Sequence, residues 1–89
     1  IYPDLIKLAD GVEKVINLSE QYLNNGDSVK ALLLIEAAIE AEPDNILVIQ
    51  MKLKILTIMR KDSGNLNESG WLNYAIKQTE QKLILHIKD

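Results

Sequence analysis

The order of large and small residues across residues 15–43 constrains the fold of this chain more than any other feature. Side chains of defined size fall at helical spacing in the order Val15, Leu18, Ser19, Tyr22, Gly26, Ala31, Ile35, Ala38 and Pro43. Gly26 and Asp27 supply a turn, and Pro43 ends a second helix. Ala31 and Ala38 are small where two helix backbones approach each other. The spacing therefore predicts two helices joined by a tight turn.

This order resembles one tetratricopeptide repeat, a helix–turn–helix unit of about 34 residues. Such a unit cannot bury both of its faces alone, so further helices or a partner must cover it. The repeat register places Glu13, Ile16, Asn17 and Glu20 toward the groove in which such a module would hold a peptide. Two of these residues are acidic and none is basic, so the groove is poorly suited to binding an acidic peptide.

Composition supports a small helical domain and excludes several function classes. The chain has 89 residues, 47% hydrophobic residues, few aromatics and no Phe, which suits packed helices better than a sheet. A net charge of −3 without a basic cluster argues against nucleic-acid binding. The absence of cysteine excludes disulfides and thiol catalysis. Its apolar runs are far shorter than the roughly 20 residues that span a bilayer, so no membrane partner is expected.

Helix start and stop signals divide the chain into four helices. They predict an all-α array of antiparallel helix pairs in one domain, with helices at about 12–24, 27–42, 45–61 and 65–88 and a short leading helix or turn at 3–9. Asp10 and Gly11 either interrupt the first helix or lie within one longer helix, and the sequence leaves both open. Asp27 is the expected N-cap of the second helix, and Asn65 with Glu68 has the spacing of a capping box. The chain begins at Ile1 without a signal-peptide pattern, so we expect a piece of a longer protein.

The same periodicity predicts which residues are buried. The expected core is centred on Leu18, Tyr22, Ala31, Ile35, Ala38, Leu53, Leu56 and Ile76. The third helix has one narrow polar strip, formed by Gln50, Lys54, Thr57 and Lys61, so it should be a central helix covered on at least two sides. The inward face of the fourth helix is predicted to be Leu72, Ala75, Ile76, Thr79, Leu83 and Ile87. Trp71 is expected in the elbow between the third and fourth helices.

Residues that could carry catalysis are scarce. His86 is the single histidine, and a zinc site needs three or four converging ligands. The serines have no base at a helix-compatible spacing, and Glu36 with Glu40 is best interpreted as a solvated helix face. We therefore expect no catalytic residue, no metal ligand and no cofactor in this chain.

Three segments carry a resemblance to a known family: Leu8-Ala9-Asp10-Gly11, then Gly26-Asp27 with Ala31 and residues 41–45, and finally Asn65-Leu66-Asn67-Glu68-Ser69-Gly70-Trp71-Leu72. They resemble the dimerisation domain of alkyl sulfatases, which are zinc-dependent hydrolases with a metallo-β-lactamase-fold catalytic domain. The last is similar to an Asn-x-x-Glu-x-Gly-Trp-Leu stretch of relatives of that domain. The resemblance implies a scaffold that dimerises, with zinc held in a separate catalytic domain whose His-x-His-x-Asp-His motif is absent here.

Two function classes follow from the sequence. In the first, the chain is such a dimerisation and scaffold domain, whose partners are a second copy, the catalytic domain of a longer parent protein, or both. In the second, it is a free-standing tetratricopeptide-like module that binds a peptide. The third helix and the apolar end of the fourth supply the expected interface, with the candidates Met51, Ile55, Ile58, Met59, Trp71, Leu83, Ile84, Leu85 and Ile87.

Overall fold

The described part of the chain forms four α-helices in an array of helix pairs. The computed structural model describes the backbone of residues 11–62 and 66–88 and the side chains of residues 11–62 and 70–87. The helices are α1 (Gly11–Asn24), α2 (Ser28–Ala41), α3 (Ile46–Asp62) and α4 (Leu66–Lys88). The all-α prediction is confirmed, and each of these helices lies within a residue of its predicted bounds at both ends. The predicted leading helix at 3–9 lies outside the described residues.

A glycine in the left-handed conformation ends α1. Gly26 has φ of +85°, and its N–H donates to the carbonyl of Leu23 over 3.1 Å. The N–H of Asp27 donates to the carbonyl of Tyr22 over 2.8 Å, which completes a Schellman motif. The Asp27 carboxylate then accepts from the N–H of Lys30, so Asp27 is the N-cap of α2 as predicted.

The second turn is also specified by local hydrogen bonds. The N–H of Glu42 donates to the carbonyl of Ala38 over 2.8 Å, and Pro43 follows directly. The side-chain oxygen of Asn45 accepts from the N–H of Leu47 over 3.0 Å and from that of Val48 over 3.4 Å. Asn45 is therefore the N-cap that starts α3.

Small residues lie at a buried contact between α1 and α2. Ser19 and Ala31 are both fully buried, and the Ser19 hydroxyl donates to the carbonyl of Ala31 over 2.8 Å. Ala38 is fully buried too, in the core cluster to which α3 contributes Val48 and Met51. The repeat-like order of sizes therefore corresponds to real helix contacts.

Helix α3 is the central element. It packs against α1, α2 and α4, while its predicted polar strip is exposed throughout. Two clusters of buried residues form the core on either side of it. The first is Leu23, Ala31, Ile35, Ala37, Ala38, Val48, Met51 and Ile55, and the second is Leu56, Leu72 and Ile76. Leu32 and Met59 contact both clusters and join them.

Three residues predicted to pack inside lie on the surface instead. Leu18 is 41% exposed and Trp71 is 48% exposed. Each directly precedes a fully buried residue, Ser19 or Leu72, so its side chain points about 100° away from the buried face. Ile87 is 61% exposed, although it shares the periodicity of buried Leu72 and Ile76. None of the described helices packs over these three side chains.

Candidate protein-interaction surfaces

Helix α4 carries five large exposed apolar residues, which lie on more than one side of it. Trp71, Tyr74, Ile84, Leu85 and Ile87 are each close to half exposed or more. Three of them lie within the last two turns of the helix. Trp71, Tyr74 and Leu85 share the outward side, Ile84 lies toward α3, and Ile87 lies at the end of the inward face. Exposed apolar surface on this scale is typical of interaction sites.

An apolar cleft lies between α3 and α4 beside this surface. Leu53 contributes from α3, and α4 contributes Leu83 and Ile84. Lys77 and Glu80, two charges of opposite sign, lie at its edge. The cleft continues the exposed surface of α4 toward α3, so Ile84 belongs to both.

A second cleft lies between α1 and α3. Its volume is about 290 Å³, and it is lined by Glu13, Ile16, Asn17, Leu47, Gln50, Met51 and Lys54. Lys54 Nζ lies 3.6 Å from a carboxylate oxygen of Glu20. The two residues are 34 positions apart, which is the length of one tetratricopeptide repeat. The repeat register predicted four α1 residues for the groove. Glu13, Ile16 and Asn17 line this cleft, and Glu20 pairs with Lys54, which lines it as well.

Ion pairs connect neighbouring helices. Lys52 Nζ lies 2.9 Å from Glu36 and joins α3 to α2. Such partly exposed pairs contribute at most about 1 kcal/mol each. His86 Nε2 is buried without a hydrogen bond, and the Asp44 carboxylate lies 3.4 Å from it in the loop before α3. Within the described residues, no group of three or more His, Cys, Asp or Glu could hold a metal ion.

The predicted interface residues fall into three groups. Met51 and Ile55 were wrongly expected on a surface: both are buried in the first core cluster, because that side of α3 packs with residues of α1 and α2. Ile58, Met59 and Leu83 are half-buried at the edges of the core. Trp71, Ile84, Leu85 and Ile87 are exposed, so the structure brings together only the α4 part of the set.

Sequence reasoning missed Tyr74, which is 66% exposed on the same side of α4 as Leu85. Its phenol oxygen accepts a hydrogen bond from the Gln78 side chain over 2.7 Å. The spacing of three residues from Trp71 and eleven from Leu85 could have revealed it, because these intervals return to one helix face.

No known protein family, curated protein or solved structure matches this chain. Among the described helices, none combines the length and the apolar character needed to cross a membrane.

Proposed function

We propose that this chain is a helical scaffold without a catalytic centre of its own and that it associates with a second copy of itself. The observation that carries the proposal is the exposed apolar surface of α4, above all Ile84, Leu85 and Ile87 in its last turns. Burying apolar surface contributes about 25 cal/mol per Å², so covering these side chains favours association. A twofold contact is the commonest arrangement for identical chains, since both copies then use the same patch.

A narrower form of this proposal is the dimerisation and scaffold domain of an alkyl sulfatase-like hydrolase. Its support is the sequence resemblance described above, which includes Gly70, Trp71 and Leu72 at the start of α4. In this form zinc belongs to the metallo-β-lactamase-fold domain of the parent, and the present chain contributes no ligand. The coding sequence upstream of Ile1 tests it: a His-x-His-x-Asp-His motif is expected there, and a different upstream domain would contradict it.

Light scattering across a concentration series tests self-association directly. We expect a defined two-chain mass that dissociates on dilution. A monomer that persists at hundreds of micromolar would refute the proposal. Ill-defined aggregates would refute it as well, because they would indicate that another domain of a longer protein covers this surface.

A second candidate function is peptide binding, and the cleft between α1 and α3 is the observation that favours it. At about 290 Å³ the cleft is at the lower limit of small-molecule pockets, a size better suited to one or two side chains of a peptide. Its exposed amides, Asn17 and Gln50, can pair with a peptide backbone.

Selection from a random peptide library tests this function. Enriched peptides should lose binding to Asn17→Trp, which blocks the cleft, and keep binding to Leu85→Glu on the far side of α4. A library without enrichment, or enriched peptides that bind both variants equally, would contradict the peptide-binding function.

A further inference from the structure

A stripe of residues on the outer side of α4 repeats with the spacing of a coiled-coil seam. We call it the outer stripe, and its members are Trp71, Tyr74, Gln78, Gln81 and Leu85. The intervals alternate between three and four residues, which keeps a stripe facing one neighbouring helix over two heptads. All five side chains are exposed, and they lie about half a turn from Leu72 and Ile76, which pack against α3.

We infer that the second copy packs on the outer stripe in an antiparallel α4–α4 contact centred between Gln78 and Gln81. In this register Tyr74 of each copy lies on the partner's Leu85, and Gln78 lies on the partner's Gln81. The inference rests on the proposed self-association and specifies its interface. The contact has four layers, because the twofold axis repeats each pair. Two tyrosine–leucine layers lie outside two layers of paired glutamines, whose amides supply both donors and acceptors.

Charges beside the stripe decide between the two possible directions of the partner helix. Lys77 and Lys82 flank the stripe on opposite sides. In a parallel pair, a flanking residue of one helix lies beside the residue five positions later on the other helix. Lys77 of each copy would therefore lie beside the partner's Lys82, which gives two repulsive contacts. In the antiparallel pair Lys77 lies beside the partner's Ile84, and Lys82 lies beside the partner's Ala75. The antiparallel direction therefore avoids every like-charge contact that the parallel one creates.

The area of the stripe sets the strength of the contact. From their exposed fractions, Trp71, Tyr74 and Leu85 offer roughly 300–350 Å² of side-chain surface per copy. From two copies these three side chains contribute at most about 600–700 Å², about half of the roughly 1,200 Å² that whole interfaces bury at the lower end of the stable range. The contact is therefore small, and we expect a weak and reversible dimer.

A charge-exchange pair of variants tests the register. Tyr74→Lys and Leu85→Glu each place one charge opposite an apolar residue of the partner, and each should lower the association constant at least tenfold in sedimentation equilibrium. The double variant places each lysine opposite a glutamate of the other copy, and association should return. Leu33→Glu is the matched control, because Leu33 is exposed on α2 to a similar degree and should leave the association constant unchanged. Circular dichroism verifies that each variant keeps its helices.

The outcomes separate this inference from the proposed function. Loss in both single variants with recovery in the double variant supports the antiparallel seam. Loss without recovery overturns the register, since in a parallel pair lysine meets lysine and glutamate meets glutamate. A dimer insensitive to both single variants overturns the seam and leaves self-association standing. A wild-type chain that stays monomeric overturns both.

Discussion

Replacing Ile35 with alanine tests the helix register on which the fold rests. Ile35 is fully buried in the first core cluster, to which Ala31 and Val48 also belong. The substitution removes three carbons, and at about 0.8 kcal/mol per buried methylene the lost transfer free energy is about 2.4 kcal/mol. A cavity adds to this, because the surrounding helices relax only in part. We therefore expect the free energy of unfolding to fall by about 3–4 kcal/mol, within the range of about 2–5 kcal/mol for such changes.

Leu33→Ala is the matched control, because it removes the same number of carbons from the same helix. Leu33 is 61% exposed, so less than half of the transfer term applies, about 1 kcal/mol. No cavity forms at the surface, and the higher helix propensity of alanine returns a few tenths of a kcal/mol. The free energy of unfolding of Leu33→Ala should therefore fall by less than about 1 kcal/mol.

Urea denaturation followed by circular dichroism measures the difference. With a slope of about 1 kcal/mol per M for a small domain, the midpoint should fall by about 3 M for Ile35→Ala and by less than 1 M for Leu33→Ala. The chain is measured at low micromolar concentration, because dilution disfavours any self-association. Equal losses, or a larger loss for Leu33, would refute the assignment of the buried face of α2.

Three further predictions concern packing, turn geometry and metal. Ala38→Leu should cost about 1–3 kcal/mol by overpacking the fully buried contact between α2 and α3, and an unchanged thermal melt would refute that contact. Gly26→Ala should lower the free energy of unfolding by about 1–2 kcal/mol, because alanine is strained in the left-handed conformation. No steric clash adds to this, since an added Cβ meets no atom within 4 Å. Gly26→Asn should recover part of that loss in the same melts, and a greater loss for Asn would contradict a purely conformational cost. One equivalent of zinc should leave Tm unchanged, and a rise in Tm that disappears in His86→Ala would contradict the proposal that this chain has no metal site.

The helix ends were predictable from the sequence because local chemistry determines them. Gly26 is the residue type that adopts positive φ without strain, and Asp27 and Asn45 have side chains that satisfy the first N–H groups of a helix. Each contact spans at most a few residues, so no other helix is needed to specify it. The pairing of α1 with α2 was equally accessible, because Ser19 and Ala31 are small at the spacing where two helices cross.

Which apolar faces become surface depended on tertiary structure. Periodicity fixes the angle of a side chain around its own helix, but another helix must be present to cover it. On the nearly all-apolar α3, the sequence therefore could not show that Met51 and Ile55 are buried in the cluster shared with α1 and α2. Leu18, Trp71 and Ile87 are apolar at or near helix faces that pack, yet no described helix covers them. The sequence thus established that the candidate interface residues of α4 are apolar. Only the arrangement of the four described helices decided that they are exposed.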